Sequence, residues 1–301
     1  MIRRLIKQGQ TSMVVSLPIE WIRSQKLKAG DELEVLHRDN KVEINTLEDK
    51  KLRRYNLKVD ELDEYAVYIN LLNLYQKGYD EIKIISKTKK IHNYKTGRKI
   101  DAFKSIKTWL PRFIGWEFTT QDPIIIKDIT GESSENPRKL LNRIFFILNS
   151  FVDEELMALK NKTDMPDANE FYMTVFKLIN YAIRTYNKRP KTSYRVSLLQ
   201  EIHRIAQQLR DIQPYLKSNQ KAIIPILSLL RPALKLYTSG EITSFIKEHY
   251  VIGLKLNKLR ISNELLRMLL TLHGLYMDVV YTTNFLQIKK EAGKMDQIPF
   301  G

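Results

Sequence analysis

Gly9-Gln10-Thr11-Ser12-Met13-Val14-Val15-Ser16-Leu17-Pro18-Ile19-Glu20-Trp21, continued by Leu27-Lys28-Ala29-Gly30-Asp31-Glu32-Leu33, decides how the front of the chain folds. Met13 to Leu17 is an apolar run with β-branched members, which predicts a strand. Pro18 then opens a short helix over residues 18–25, at a position where a missing N–H costs little. Ala29-Gly30-Asp31 is a turn, and Glu32-Leu33-Glu34-Val35-Leu36 alternates polar with apolar as a half-buried strand does. Asp39-Asn40 turns the chain into Lys41-Val42-Glu43-Ile44, a second alternating strand. A strand, a helix and a hairpin in under about fifty residues bury little apolar surface alone. The unit needs a partner, and the simplest partner is a second copy of itself.

This order of parts resembles the AbrB/MazE/SpoVT swapped-hairpin family, particularly its archaeal branch with a Ser-Leu-Pro segment before the helix. The resemblance covers about the first 45 residues. It implies an interleaved dimeric barrel that lays basic side chains from both chains along a DNA duplex. By position it assigns DNA contact to Arg3, Arg4 and Lys7 on the first strand, and to Arg23 and Lys26 on or after the short helix. Arginine and lysine suit the role, because phosphate contacts supply much of the affinity and arginine also reads guanine bidentately. Residues 1–28 carry six basic groups against one acid, Glu20, while residues 29–48 are mostly acidic. The competing reading is the solvated basic face of a module that only dimerises.

Residues 49–131 read as a small α/β segment. Residues 52–59 predict a strand, and 60–77 a helix with Leu62, Ala66, Ile69, Leu72 and Leu74 near one face, closed by Gly78. A strand over 81–86, a helix over 100–110 before Pro111, and strands over 115–119 and 124–129 complete it. A second basic cluster falls here: Lys87, Lys89, Lys90, Lys95, Arg98, Lys99, Lys104, Lys107 and Arg112, opposed only by Asp101 and interleaved with Tyr94 and Trp109. Lys87, Lys89, Lys90, Arg98 and Lys99 form a candidate secondary patch toward phosphates. The alternative is a flexible loop over 87–97 followed by the polar face of a helix.

After Gly131 the strand signals stop. Helical stretches follow near residues 135–161, 167–188, 192–217, 219–238, 241–259 and 262–291, and their short connections predict antiparallel packing in a bundle. His203-Arg204-Ile205-Ala206-Gln207-Gln208-Leu209, Asp278-Val279-Val280-Tyr281-Thr282-Thr283-Asn284, and Thr174-Val175-Phe176-Lys177-Leu178 leading to Arg184 carry a diffuse resemblance to the PhoU family of phosphate-uptake regulators. The resemblance implies a six-helix bundle of two three-helix halves and a role in phosphate homeostasis. Members bind iron or zinc clusters through several acidic residues, since such cations need anionic oxygens close together. Here Thr174, Phe176, His203 and Gln207 occupy those positions, with Asp278 the one acid among them. No metal site and no cofactor are therefore expected.

Composition narrows the function further. The net charge of +16 favours a polyanionic partner, and the absence of cysteine excludes disulfides, thiolate metal sites and cysteine nucleophiles. Met1-Ile2-Arg3-Arg4-Leu5 has no long apolar stretch behind it, and Pro225, Arg231 and Pro232 break the most apolar run, so no membrane insertion and a cytoplasmic location are expected. None of the five histidines lies three or four residues from another, and the phosphate-loop, dinucleotide and nucleophile-elbow motifs are missing. Glu154-Glu155 reads as a solvated helix face. Phe145-Phe146, Phe171, Tyr172, Phe176, Tyr276 and Tyr281 read as core.

The expected fold is multidomain: a dimeric N-terminal swapped-hairpin β-barrel (1–48), an α/β linker (49–131) and an all-α PhoU-like six-helix bundle (132–301). The expected function is that of a homodimeric, double-stranded-DNA-binding transcriptional regulator of phosphate uptake, not an enzyme. The alternative is a PhoU-like adaptor that binds no DNA and docks on a phosphate transporter or sensor protein.

Overall fold

A computed structural model describes residues 3–9, 12–38, 41–46, 52–130, 137–188, 193–230, 233, 242–256, 258 and 261–295. The chain divides into two units, Met1–Leu52 and Arg53–Gly301. In the first, β1 (Ile6–Gln8) pairs antiparallel with β2 (Ser12–Val14), setting Lys7 opposite Met13. Helix α1 (Ile19–Ser24) follows, with Pro18 as its N-cap. Gly30, at φ +97°, and the Asp31 carboxylate, which accepts from Lys28 N at 2.7 Å, shape the turn into the next strands. Those are β3 (Leu33–Arg38) and β4 (Lys41–Thr46), an antiparallel hairpin that pairs Val35 with Ile44. The Asp39-Asn40 turn lies outside the described residues.

The second unit opens with a βαβ crossover. Strand β5 (Arg54–Lys58) runs parallel to β6 (Glu81–Ile85), with α2 (Glu64–Gln76) between them. Residues 60–62 do not join that helix. The Asp63 carboxylate caps it by accepting from Ala66 N at 2.7 Å, and Gly78 at φ +82° ends it. The buried face of α2 is Val67, Leu71, Leu74 and Tyr75 rather than the predicted set, of which only Leu74 is fully buried. Spacings of four, three and one residues keep that face on one side of the helix. Strands β9 (Trp116–Gln121) and β10 (Ile124–Asp128) complete a sheet of order β5-β6-β10-β9, with β10 antiparallel to both neighbours.

Between β6 and β9 lie a small hairpin, β7 (Lys90–His92) with β8 (Lys99–Asp101), and helix α3 (Ala102–Trp109). The rest is helical: α4 (Pro137–Asn161), α5 (Ala168–Asn187), α6 (Ser193–Ile212), α7 (Gln220–Ser228), α8 (Ile242–Leu256) and α9 (Asn263–Met295). Pro214 converts the end of the third predicted stretch into a 3-10 turn over Gln213–Tyr215. Helix α6 packs on α5 and α9, and α4 packs on α5. No helix among the described residues is long and apolar enough to cross a membrane.

Sheet and bundle share one hydrophobic core, joined by α5, which is buried on nearly all sides from Val175 to Tyr186. Arg184 on α5 donates Nη1 to the carbonyls of Tyr75 and Tyr79, both at 2.9 Å, and Nη2 to the Asp128 carboxylate on β10. Its guanidinium also lies over the rings of Tyr75 and Trp116. Burial raises the Asp128 pKa, but hydrogen bonds from Thr130 and Arg184 outweigh it and hold the carboxyl below its usual range.

Candidate nucleic-acid interface

The N-terminal unit shows no buried core among its described residues. None of its described residues is buried, and Met13, Val35 and Val42 are 63%, 61% and 60% exposed. On the face of β3 and β4 that the alternation should turn inward, Val35 and Val42 stand open and Leu33 and Ile44 are half-buried. Arg3, Arg4, Lys7, Arg23 and Lys26 are all exposed as well. Arg3 and Arg4 precede β1 rather than lying within it, because pairing with β2 begins only at Ile6; Lys7 sits inside β1. Arg23 is in the last turn of α1, and Lys26, at φ +55°, donates its N–H to the Arg23 carbonyl at 3.1 Å. That bond places two cations at one helix end. Among the described residues, none of the five forms an ion pair.

The secondary patch lies on and around the hairpin β7–β8: Lys90 and Lys99 fall on its strands, Lys87 and Lys89 in the bend before it, and Arg98 after its turn. Ile91 is fully buried opposite Ile100, so the pleat turns Lys90, His92 and Lys99 to the outer face. Asn93 builds the turn. Its N–H donates to the Arg98 carbonyl at 2.8 Å, and its Oδ1 accepts from Lys95 N and Thr96 N at 3.1 and 2.9 Å. Its Nδ2 donates to Glu64 Oε1 at 2.6 Å, which ties the turn to the first turn of α2. Lys87 N donates to Asp60 Oδ1 at 2.7 Å, and the Lys89 ammonium pairs with Asp122. Lys87, Lys90, Arg98 and Lys99 remain exposed and, among the described residues, without an ion pair.

No family model, no curated protein and no solved structure matches this chain.

Of the positions singled out on the bundle, Phe176 and His203 come together, with ring centroids 5.4 Å apart. Thr174, Gln207 and Asp278 are exposed and Phe176 is buried, while half-buried His203 shares a 3.0 Å hydrogen bond with the Tyr172 hydroxyl. Burial, then the nearby Arg210 charge, lowers the His203 pKa. Phe146 is 71% exposed, because Ile144, Phe145 and Leu148 already fill the inner face of α4; Tyr281 falls among side chains that are not described.

Glu155 corrects the solvated-face reading of Glu154-Glu155. It is fully buried, while Glu154 is exposed. Its Oε1 accepts from Gln213 Nε2 at 3.2 Å, and its Oε2 has no partner among the described residues. Burial pushes the carboxyl up to about 8, against a smaller lowering by Gln213. The signal was present in sequence: Glu155 continues the stripe of Leu148, Phe151 and Val152 at spacings of seven, four and three.

Sequence spacing also hid a pairing of histidines. His249 on α8 and His273 on α9 stack with ring centroids 3.5 Å apart, and each Nε2 lies 2.9 Å from the other's backbone carbonyl oxygen. Gly253 permits this approach, since a Cβ there would stand 3.0 Å from His273 Cε1. The two lie 24 positions apart across a helix connection, where no local motif reaches.

Proposed function

We propose that this chain is a DNA-binding transcriptional regulator of phosphate homeostasis, gripping duplex DNA through a dimer of its N-terminal units. The carrying observation is the absence of any buried residue among those described in Met1–Leu52, together with the exposed apolar faces of β2, β3 and β4. A soluble domain does not leave both strands of a hairpin apolar and open unless something covers them. A second copy matches best, because the same strands then close on each other symmetrically as the swapped-hairpin resemblance implies. Five cations free of ion pairs among the described residues suit a phosphate backbone, which gains from counterion release.

The helical part of the second unit is read as PhoU-like and coupled to DNA binding through an effector that favours one arrangement over another. The phosphate link rests on that resemblance alone. A mobility-shift titration against the DNA upstream of the protein's own coding region tests the reading. The wild-type protein is expected to shift this duplex, with affinity falling steeply as salt rises. Arg3→Ala with Arg4→Ala should weaken binding and flatten the salt slope by about two per protomer engaged. Binding unchanged at several salt concentrations would remove the assignment and favour an adaptor that docks on a transporter or sensor protein.

A further inference from the structure

We infer that the hairpin β7–β8 is a second duplex-DNA contact, carried by the second unit and separate from the N-terminal dimer. The ribbon is shaped and fixed for presentation. Ile91 is sunk into the core, Asn93 clamps the turn, and the Asn93–Glu64 bond fixes the turn to α2. A lysine-rich surface that served solubility alone would need no such frame.

Charge supplies the partner. Residues 87–104 hold seven Lys or Arg and one acid, Asp101. That acid is occupied as the cap of α3, accepting from Lys104 N at 2.7 Å. The neighbouring carboxylates are engaged too, Asp60 by Lys87 N and Glu64 by Asn93. Among the described residues, Lys89 alone of the seven forms an ion pair. Cations held out from a rigid ribbon, with nearby acids turned to structural bonds, meet a polyanion without losing local partners.

Shape selects the duplex. A two-stranded ribbon is what the major groove admits, with backbone phosphates flanking it. Lys90 and Lys99 on the outer face and Lys95 and Arg98 at the turn would meet those phosphates. A single-strand binder offers open aromatic faces for bases to stack on. Here Tyr94, the aromatic of the turn, is 54% exposed but has its ring flanked by Tyr65, tilted against it at 6.0 Å, and by the Lys95 ammonium at 5.6 Å. Its hydroxyl remains suited to a phosphate oxygen.

The test uses the full chain, a duplex of arbitrary sequence and a single strand of the same length, with binding followed by fluorescence anisotropy across a salt series. Lys95→Gln, Arg98→Gln and Lys99→Gln together should weaken duplex binding roughly tenfold or more and lower the salt slope by between about two and three. Lys95→Arg with Lys99→Arg should leave both near wild type. The Arg3→Ala, Arg4→Ala protein should keep the hairpin-dependent part of the slope. A hairpin variant with wild-type slope, in a protein that does bind duplex, overturns this inference and leaves the N-terminal assignment standing. Loss confined to the single strand overturns it as well. Hairpin dependence without any Arg3 or Arg4 dependence sinks the N-terminal assignment instead, and a wild-type chain that ignores the duplex sinks both.

Discussion

Val35 and Val42 on the N-terminal hairpin face solvent, while Ile82 and Ile126, paired on neighbouring strands of the second unit, are fully excluded from it. The local chemistry is similar, a β-branched residue with a charged neighbour on at least one side. What differs is the supply of cover. Helix α2 and the bundle lie over the four-stranded sheet, whereas α1 has six residues, none of them buried, and cannot close a barrel. Apolar alternation therefore states that a strand has an inner face without stating whose atoms will cover it. By this measure the second unit covers its own apolar strands, and the described strands of the first do not.

The sharpest way to break the comparison is to spoil the uncovered face. Val35→Asp with Val42→Asp would place carboxylates where a partner's apolar atoms are expected, at a cost of several kcal/mol per buried unpaired charge. Analytical ultracentrifugation should find the wild-type chain as a dimer at micromolar concentration and the variant as a monomer. The thermal transition of the second unit should be unchanged. A monomeric wild type, or a variant that still dimerises through this unit, would end the parallel with a swapped hairpin.

A second experiment attacks the second unit at the joint between its sheet and its bundle. Arg184→Met takes the buried guanidinium from Asp128, leaving it the Thr130 hydrogen bonds and, among the described cations, Lys188 at 3.3 Å, and should lower stability by about 3 kcal/mol in urea titration. Adding Asp128→Leu should recover much of that loss, because removing both charges removes the desolvation of each. The pH dependence sharpens this. The folded pKa of Asp128 lies below its unfolded value, so its contribution is present above about pH 4 and is lost as pH falls through the folded pKa. The wild type should show that acid-side loss and the double variant should lack it. Parallel acid profiles would mean the pair contributes nothing.

These contrasts show what the sequence could disclose. The helix start at 167 and the stop at Gly78 were legible, because capping is local and uses residues within three positions of the boundary, whereas the start of α2 was placed at residue 60, three positions ahead of its Asp63 cap. The hairpin β7–β8 was not. Each strand has three residues, too few for alternation to register, and its frame depends on Asn93 meeting Glu64 from 29 positions away. Phe146 was misread for a related reason: adjacent aromatics on a helix point about 100° apart, so Phe145 and Phe146 could not both face inward. The His249–His273 stack needed the helix pairing first.

Glu155 gives the subtlest probe, because it brings into the well-covered unit the defect that the N-terminal unit carries openly, a group without its complement. Its carboxyl is raised from 4.5 to about 8 by burial, so in the folded chain it keeps its proton across a range where the unfolded chain has lost it. Between those two values the folded state binds more protons, and stability must fall as pH rises, by at most about 1.4 kcal/mol per pH unit, levelling off above about pH 8. Glu155→Gln keeps an acceptor for Gln213 and abolishes the ionisation. The variant should match the wild type near pH 4.5 and exceed it by about 2 kcal/mol at pH 8, after relaxation of the site has absorbed part of the full shift. Denaturant titrations at both pH values measure this. If the gap between variant and wild type is the same at each, the carboxylate finds a partner when it ionises, and the core of the second unit is better matched than its unpaired Oε2 indicates.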